Sequence, residues 1–74
     1  MAFWITNRRD ISDDNRTRGG GEIISYEADT MADLNSLPMP NGQNQGSSCF
    51  ILQNSTVHKL GTIPTAGING WVQI

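Results

Sequence analysis

The chain is short of the residues that small proteins ordinarily use as staples. It holds one cysteine, Cys49, so no intrachain disulfide can form. Cys49 and the lone histidine, His58, fall short of the four Cys or His ligands of a structural zinc site. No metal and no other cofactor is expected on these grounds. Charge is sparse too: the net value is −2, which supplies no general attraction to nucleic acid or to a membrane. No apolar run approaches the ~20 residues of a membrane span. The opening apolar residues Phe3, Trp4 and Ile5 are too few for the core of a signal peptide and are followed at once by polar ones. An unpaired cysteine fits a reducing cytoplasm, or a particle assembled in one.

What remains is a chain of 74 residues, one domain at most. A domain this small buries roughly 60% of the surface its unfolded chain exposes, which leaves it marginal. With disulfides and metal set aside, oligomerisation or docking on a larger assembly is the expected source of stability.

The composition divides at Gly21. Four of the five basic residues, Arg8, Arg9, Arg16 and Arg18, precede it; beyond it only Lys59 is basic, against Glu22, Glu27, Asp29 and Asp33. Residues 6–21 carry Ile11 as their only large apolar side chain, too little burial to offset the entropy of ordering. Gly19-Gly20-Gly21 marks a hinge or a close backbone passage. Residues 1–21 are thus expected to form an extended N-terminal arm that docks on a partner. Its contact residues would be Phe3, Trp4, Ile5, Arg8 and Arg9, since a desolvated aromatic cluster beside arginines is the usual make-up of an interface hot spot.

Residues 22–74 read as a small β-rich body. Glu22–Tyr26 is a β-branched and aromatic strand candidate. Asp29 or Thr30 can cap a helical turn over Met31–Leu34, with Leu34 and Leu37 on one face and Pro38 and Pro40 ending it. A polar loop over 41–48 leads to the clearest signal, strand Cys49–Gln53, turn Asn54-Ser55 and strand Thr56–Leu60. After a second loop, Gly61–Gly70, residues Trp71–Ile74 form a last strand. The expected fold is mainly β: a short antiparallel meander of three to four strands with one helical turn, an extended N-terminal arm, and stability from oligomerisation. One helical turn covers little of a sheet, so self-association through Phe50, Leu52, Val57, Leu60, Trp71 and Val72 is expected.

Catalytic motifs are weak. Cys49 and His58 fall in adjacent predicted strands, but no third residue is placed to orient them, and a cysteine at a strand start is more often a small buried hydrophobe. Asp10, Asp13 and Asp14 lack the glycine and terminal Glu of a calcium loop. The arm's four arginines against those three aspartates leave +1, too little for phosphate binding by counterion release. Arginine forks suit a neighbouring subunit's carboxylates better. The triple glycine lacks the Lys and following helix of a phosphate loop. Trp71 could serve as a sugar-stacking platform, but a packed core aromatic is the more economical reading in so small a chain. No enzymatic activity is expected.

Taken in order, Thr30-Met31-Ala32-Asp33-Leu34-Asn35-Ser36-Leu37-Pro38, the hairpin Gly46–Leu60 and the ending Asn69-Gly70-Trp71-Val72-Gln73-Ile74 form a pattern. Over about residues 23–74 it resembles a small module recurrent in head-fibre and tail-fibre proteins of tailed bacteriophages. It departs from that module at His58, where Tyr is frequent, and in the longer loop Gly61–Gly70. The resemblance implies a virion structural protein, such as a head-fibre base, a decoration subunit or an adaptor, assembled in the host cytoplasm. Its partners would be a capsid or tail protein of the same virion and further copies of itself, the expected state being a trimer, with no nucleic-acid or membrane partner. The alternative is a small β-sheet module that recognises a peptide or a glycan.

Overall fold

The computed structural model describes residues 2–10 and 21–74. These form one five-stranded mixed sheet with strands in chain order: β1 (Phe3–Asp10), β2 (Glu22–Ala28), β3 (Ser48–Ile51), β4 (Thr56–Leu60) and β5 (Trp71–Gln73). One 3-10 helix, Met31–Ser36, lies between β2 and β3. The fold is mainly β with one short helical turn, as the sequence predicts.

The strand count and one pairing differ from the expected meander. β2 and β3 run parallel, with Tyr26 opposite Cys49 and Ala28 opposite Ile51. A parallel pair needs a crossover of about a dozen residues or more, and the connection over 29–47 provides it. The fifth strand is β1. It pairs antiparallel along β2 from Phe3 opposite Ala28 to Asp10 opposite Glu22, with a bulge between Ile5 and Asn7. The sheet therefore runs across the boundary between the expected arm, 1–21, and the body, 22–74. Gly19, Gly20, Ile11, Asp13, Asp14, Arg16 and Arg18 lie outside the described residues.

The sheet has two unlike faces. Directly opposed residues share a face, so Tyr26, Cys49 and His58 line up on one side, continued by Ala28, Ile51, Leu60 and Trp71. The helix covers this side. Thr30, in extended backbone, is its N-cap, and the Asp33 carboxylate accepts from both the Thr30 backbone N–H (3.0 Å) and the Thr30 hydroxyl (3.2 Å). That reciprocal cap satisfies groups that a helix start leaves without partners. It turns Leu34 and Leu37 down onto the sheet, where both are buried. Pro38 ends the turn and its carbonyl accepts the Trp71 indole N–H at 3.2 Å. The Trp71 and Tyr26 rings meet edge to face at 5.9 Å, and Phe3 of β1 meets Tyr26 in the same way at 6.2 Å.

The β3–β4 hairpin has a longer connection than predicted. β3 ends at Ile51, so the connection is the four residues Leu52–Ser55 rather than Asn54-Ser55 alone, and Ser55 takes a positive φ of 57°. The reason is competition from β2. Leu52 N–H donates to the Ala28 carbonyl and Gln53 N–H to the Asp29 carbonyl, which draws both residues away from β4.

Candidate functional site

The second face of the sheet carries no covering layer among the described residues. Register places one row across four strands: Trp4 opposite Glu27, Glu27 opposite Phe50, and Phe50 opposite Val57. The Ile74 N–H donates to the Val57 carbonyl at 3.0 Å, which brings Ile74 into line as the next member. Val72, opposite Lys59, flanks the row. Trp4 (40%), Val72 (41%) and Ile74 (73%) keep large exposures, while Phe50 and Val57 are half-buried. Removing such side chains from water is favourable by roughly 1.5–3 kcal/mol each when burial is complete. Glu27 is the acidic member of the row, and the Trp4 indole N–H donates to its carboxylate at 3.0 Å.

The residues expected to self-associate therefore divide between the two faces. Phe50, Val57 and Val72 belong to the open face. Leu60 and Trp71 are buried on the covered face, packed within this one chain, so they need no second copy. Leu52 is exposed in the hairpin turn rather than on a strand. The sequence pattern could not separate them, because alternation tells which residues share a face but not which face the helix covers.

The residues expected to dock also divide. Trp4 faces the open side; Phe3 and Ile5, opposite Ala28 and Tyr26, flank the core side, and all three remain exposed. Arg8 forks onto the Glu22 carboxylate, Nη2 to Oε1 at 2.8 Å and Nε to Oε2 at 3.2 Å. Both ends of this pair are solvent-exposed, so it contributes little stability by itself. Arg9 stands opposite Ile23, on the open side.

Cys49 and His58 are directly opposed, as their predicted strands allow. The Cys49 thiol is fully buried, and burial, with smaller contributions from Asp33 and Glu27, pushes it up to about 11. It stays a neutral thiol at ordinary pH, whereas a nucleophile must be a thiolate. Burial pushes the His58 imidazole down. Its Nε2 lies 3.1 Å from the Thr56 hydroxyl, which itself donates to Asn54 Oδ1 at 2.6 Å. With that hydroxyl proton committed, Nε2 must be the donor, and Nδ1 is left an unprotonated buried acceptor without a partner. Among the described residues no three His, Cys, Asp or Glu side chains gather as a metal site, and no helix is long and apolar enough to cross a membrane.

A cleft of about 270 Å³ opens on the covered side, between β2, the loop over 38–47 and the start of β5. Gly21 lets the chain pass so close to that loop that a Cβ there would collide with the Gln43 carbonyl, and its φ is +111°. The loop is tied from within: Gln43 N–H donates to Asn41 Oδ1, Asn41 N–H to Asn44 Oδ1, and Asn44 Nδ2–H to the Met39 carbonyl. Ser47 fastens it to the sheet, donating to the Asn44 carbonyl and accepting the Ile24 N–H. No sequence motif announces this cleft. Only the amide-rich composition of the loop hints at it.

Comparison with known proteins finds no family model, no curated protein and no solved structure that matches this chain.

Proposed function

We propose that this protein is a non-enzymatic structural subunit of a bacteriophage virion, serving as a head-fibre base, decoration subunit or adaptor. It self-associates, in the expected case as a trimer, and docks on a capsid or tail protein. Two independent lines support the reading: the resemblance over residues 23–74 and the open face of the sheet. The observation that carries it is the cross-strand row Phe50, Val57 and Ile74, flanked by Val72, with Trp4 on the same face beyond Glu27. These side chains lie together on a face that nothing in the described chain covers. Isolated exposed apolar residues are ordinary; a contiguous set on one sheet face marks an interaction surface.

The docking element in this reading is β1, a strand at the edge of the sheet with Trp4 on the open face. Sedimentation tests self-association. Wild-type protein should sediment as an oligomer, and Val57→Glu should yield a folded monomer, because Val57 lies outside the buried core. A wild-type chain that stays monomeric, or a Val57→Glu variant that sediments like the wild type, would sink the self-association half. For docking, Trp4→Ala should lose particle association while keeping its fold. Deleting residues 1–18 is the poorer test, since it would also strip β1 from the sheet.

A further inference from the structure

Besides the sealed His58 Nδ1, the covered face holds a second polar group that the described fold does not use. Tyr26 is 6% exposed, and its ring is fixed between Phe3 and Trp71 by two edge-to-face contacts. Yet its hydroxyl makes no hydrogen bond among the described residues, and it is not sealed away as His58 Nδ1 is. A tyrosine buried to this extent ordinarily satisfies its hydroxyl. Tyr26 instead lines the cleft beside the loop over 41–47. Across the cleft stand two more unspent groups. Among the described residues, the Asn41 side chain uses its oxygen to hold Gln43 N–H and keeps its amide nitrogen free, and the Gln43 carboxamide makes no hydrogen bond. Asn44 and Ser47 are consumed in holding the loop still.

From this arrangement we infer that the cleft is a binding site for one sugar residue, held by the Tyr26 hydroxyl, the Asn41 amide nitrogen and the Gln43 carboxamide. The lining selects the chemistry. Glu22 is the charged side chain on the cleft wall, and a carboxylate there disfavours an anion. A single carboxylate, already engaged by Arg8, is also too little for a cation. The edge-to-face packing of Tyr26 and Trp71 leaves no slot in which a flat base could stack between them. What fits is a neutral ligand that offers and accepts several hydrogen bonds and has an apolar patch to lay on Ile24, Leu60 and the Trp71 edge. A volume of about 270 Å³ sits just under the usual range for small-ligand pockets, the scale of one pyranose. Trp71, 1% exposed, is floor rather than stacking platform. A free monosaccharide and the end of a glycan chain share this chemistry. The site is independent of the open sheet face, so it stands or falls apart from the assembly reading.

Amide chemical-shift titration of the full chain tests it. The probes are glucose, galactose, mannose, rhamnose and N-acetylglucosamine at millimolar concentration, with the disaccharides of the one that binds best. At least one sugar should shift the amides of residues 41–47, that of Tyr26 and the Trp71 indole N–H. Tyr26→Phe keeps the ring and removes only the hydroxyl, and it should weaken that sugar roughly three- to tenfold. Gln43→Ala, an exposed change that leaves the fold alone, should do the same and covers the case where Tyr26→Phe disturbs packing. A disaccharide that binds more tightly assigns the site to a glycan end, and one that does not assigns it to the free sugar. The proposal is overturned if no probe moves these signals, or if both variants bind like the wild type.

Discussion

His58 sits where its two nitrogens have opposite fortunes. Nε2 is satisfied by Thr56, and Nδ1 faces the interior with nothing to accept from. Protonation would add a buried N–H without an acceptor, which is why burial holds the imidazole below its ordinary value of 6.5. The consequence for stability has a definite sign. A histidine with a depressed pKa in the folded state takes up its proton more readily when unfolded. Its contribution is complete above about pH 6.5, where the unfolded imidazole is neutral, and is lost as pH falls through the lower folded value. The urea midpoint should therefore fall between about pH 7.5 and about pH 5.5. His58→Gln offers Thr56 an amide N–H and has nothing to titrate, so its midpoint should stay level across the same interval. A wild-type midpoint that does not fall would mean that Nδ1 finds a proton acceptor on protonation.

Among the elements, the last hairpin turn shows how position decides what a glycine does. Asn69 (φ 52°) and Gly70 (φ 90°) form the two centres of a turn closed by Ile68 and Trp71, which exchange hydrogen bonds at 2.9 and 3.1 Å. This conformation sets Trp71 into the core, and a Cβ on Gly70 would sit 2.6 Å from Pro40 Cγ. Gly42 has nearly the same φ, 86°, but open space around it. Gly42→Ala should thus cost about 1–2 kcal/mol for left-handed backbone alone. Gly70→Ala should exceed it by about 1–3 kcal/mol, the penalty of overpacking. Equal urea midpoints for the two variants would refute the Pro40 contact. The same elements show what was legible beforehand. The Thr30 cap, the Leu34 and Leu37 pair and the β4 strand follow from neighbours within a few residues, and sequence spacing displays them directly. Asn-Gly is also the strongest short hairpin signal, but in Gly61–Gly70 it is submerged in a longer loop. The parallel β2–β3 pairing was not legible, because Tyr26 and Cys49 meet only after the chain has crossed the sheet. The Tyr26 cleft was hidden for the same reason: Ser47 must first reach Ile24.

For the whole molecule the question is how much of a marginal stability resides in β1. A chain of this length has about 4–11 kcal/mol in hand at typical values per residue. β1 adds seven register pairs with β2; six of them, from Phe3 opposite Ala28 to Arg9 opposite Ile23, supply about 1–6 kcal/mol at the usual worth of cross-strand pairs, while Asp10 opposite Glu22 joins like charges. It also brings Phe3 against Tyr26 and extends the ladder by the bond from Asp29 N–H to the Ala2 carbonyl at 2.9 Å. Without it, β2 becomes an edge strand and the flanks of Tyr26 and Ala28 open to water. These magnitudes overlap, so a chain lacking residues 1–10 should be largely unfolded, with near-ultraviolet aromatic dichroism lost and no cooperative urea transition. The milder double change Phe3→Ala, Ile5→Ala keeps the backbone pairing and should only lower the midpoint. A truncated chain that melts at the same urea concentration as the full one would instead make β1 a strand that rests on the sheet without supporting it. The arm would then be free, in energetic terms, to leave β2 for a partner's sheet edge.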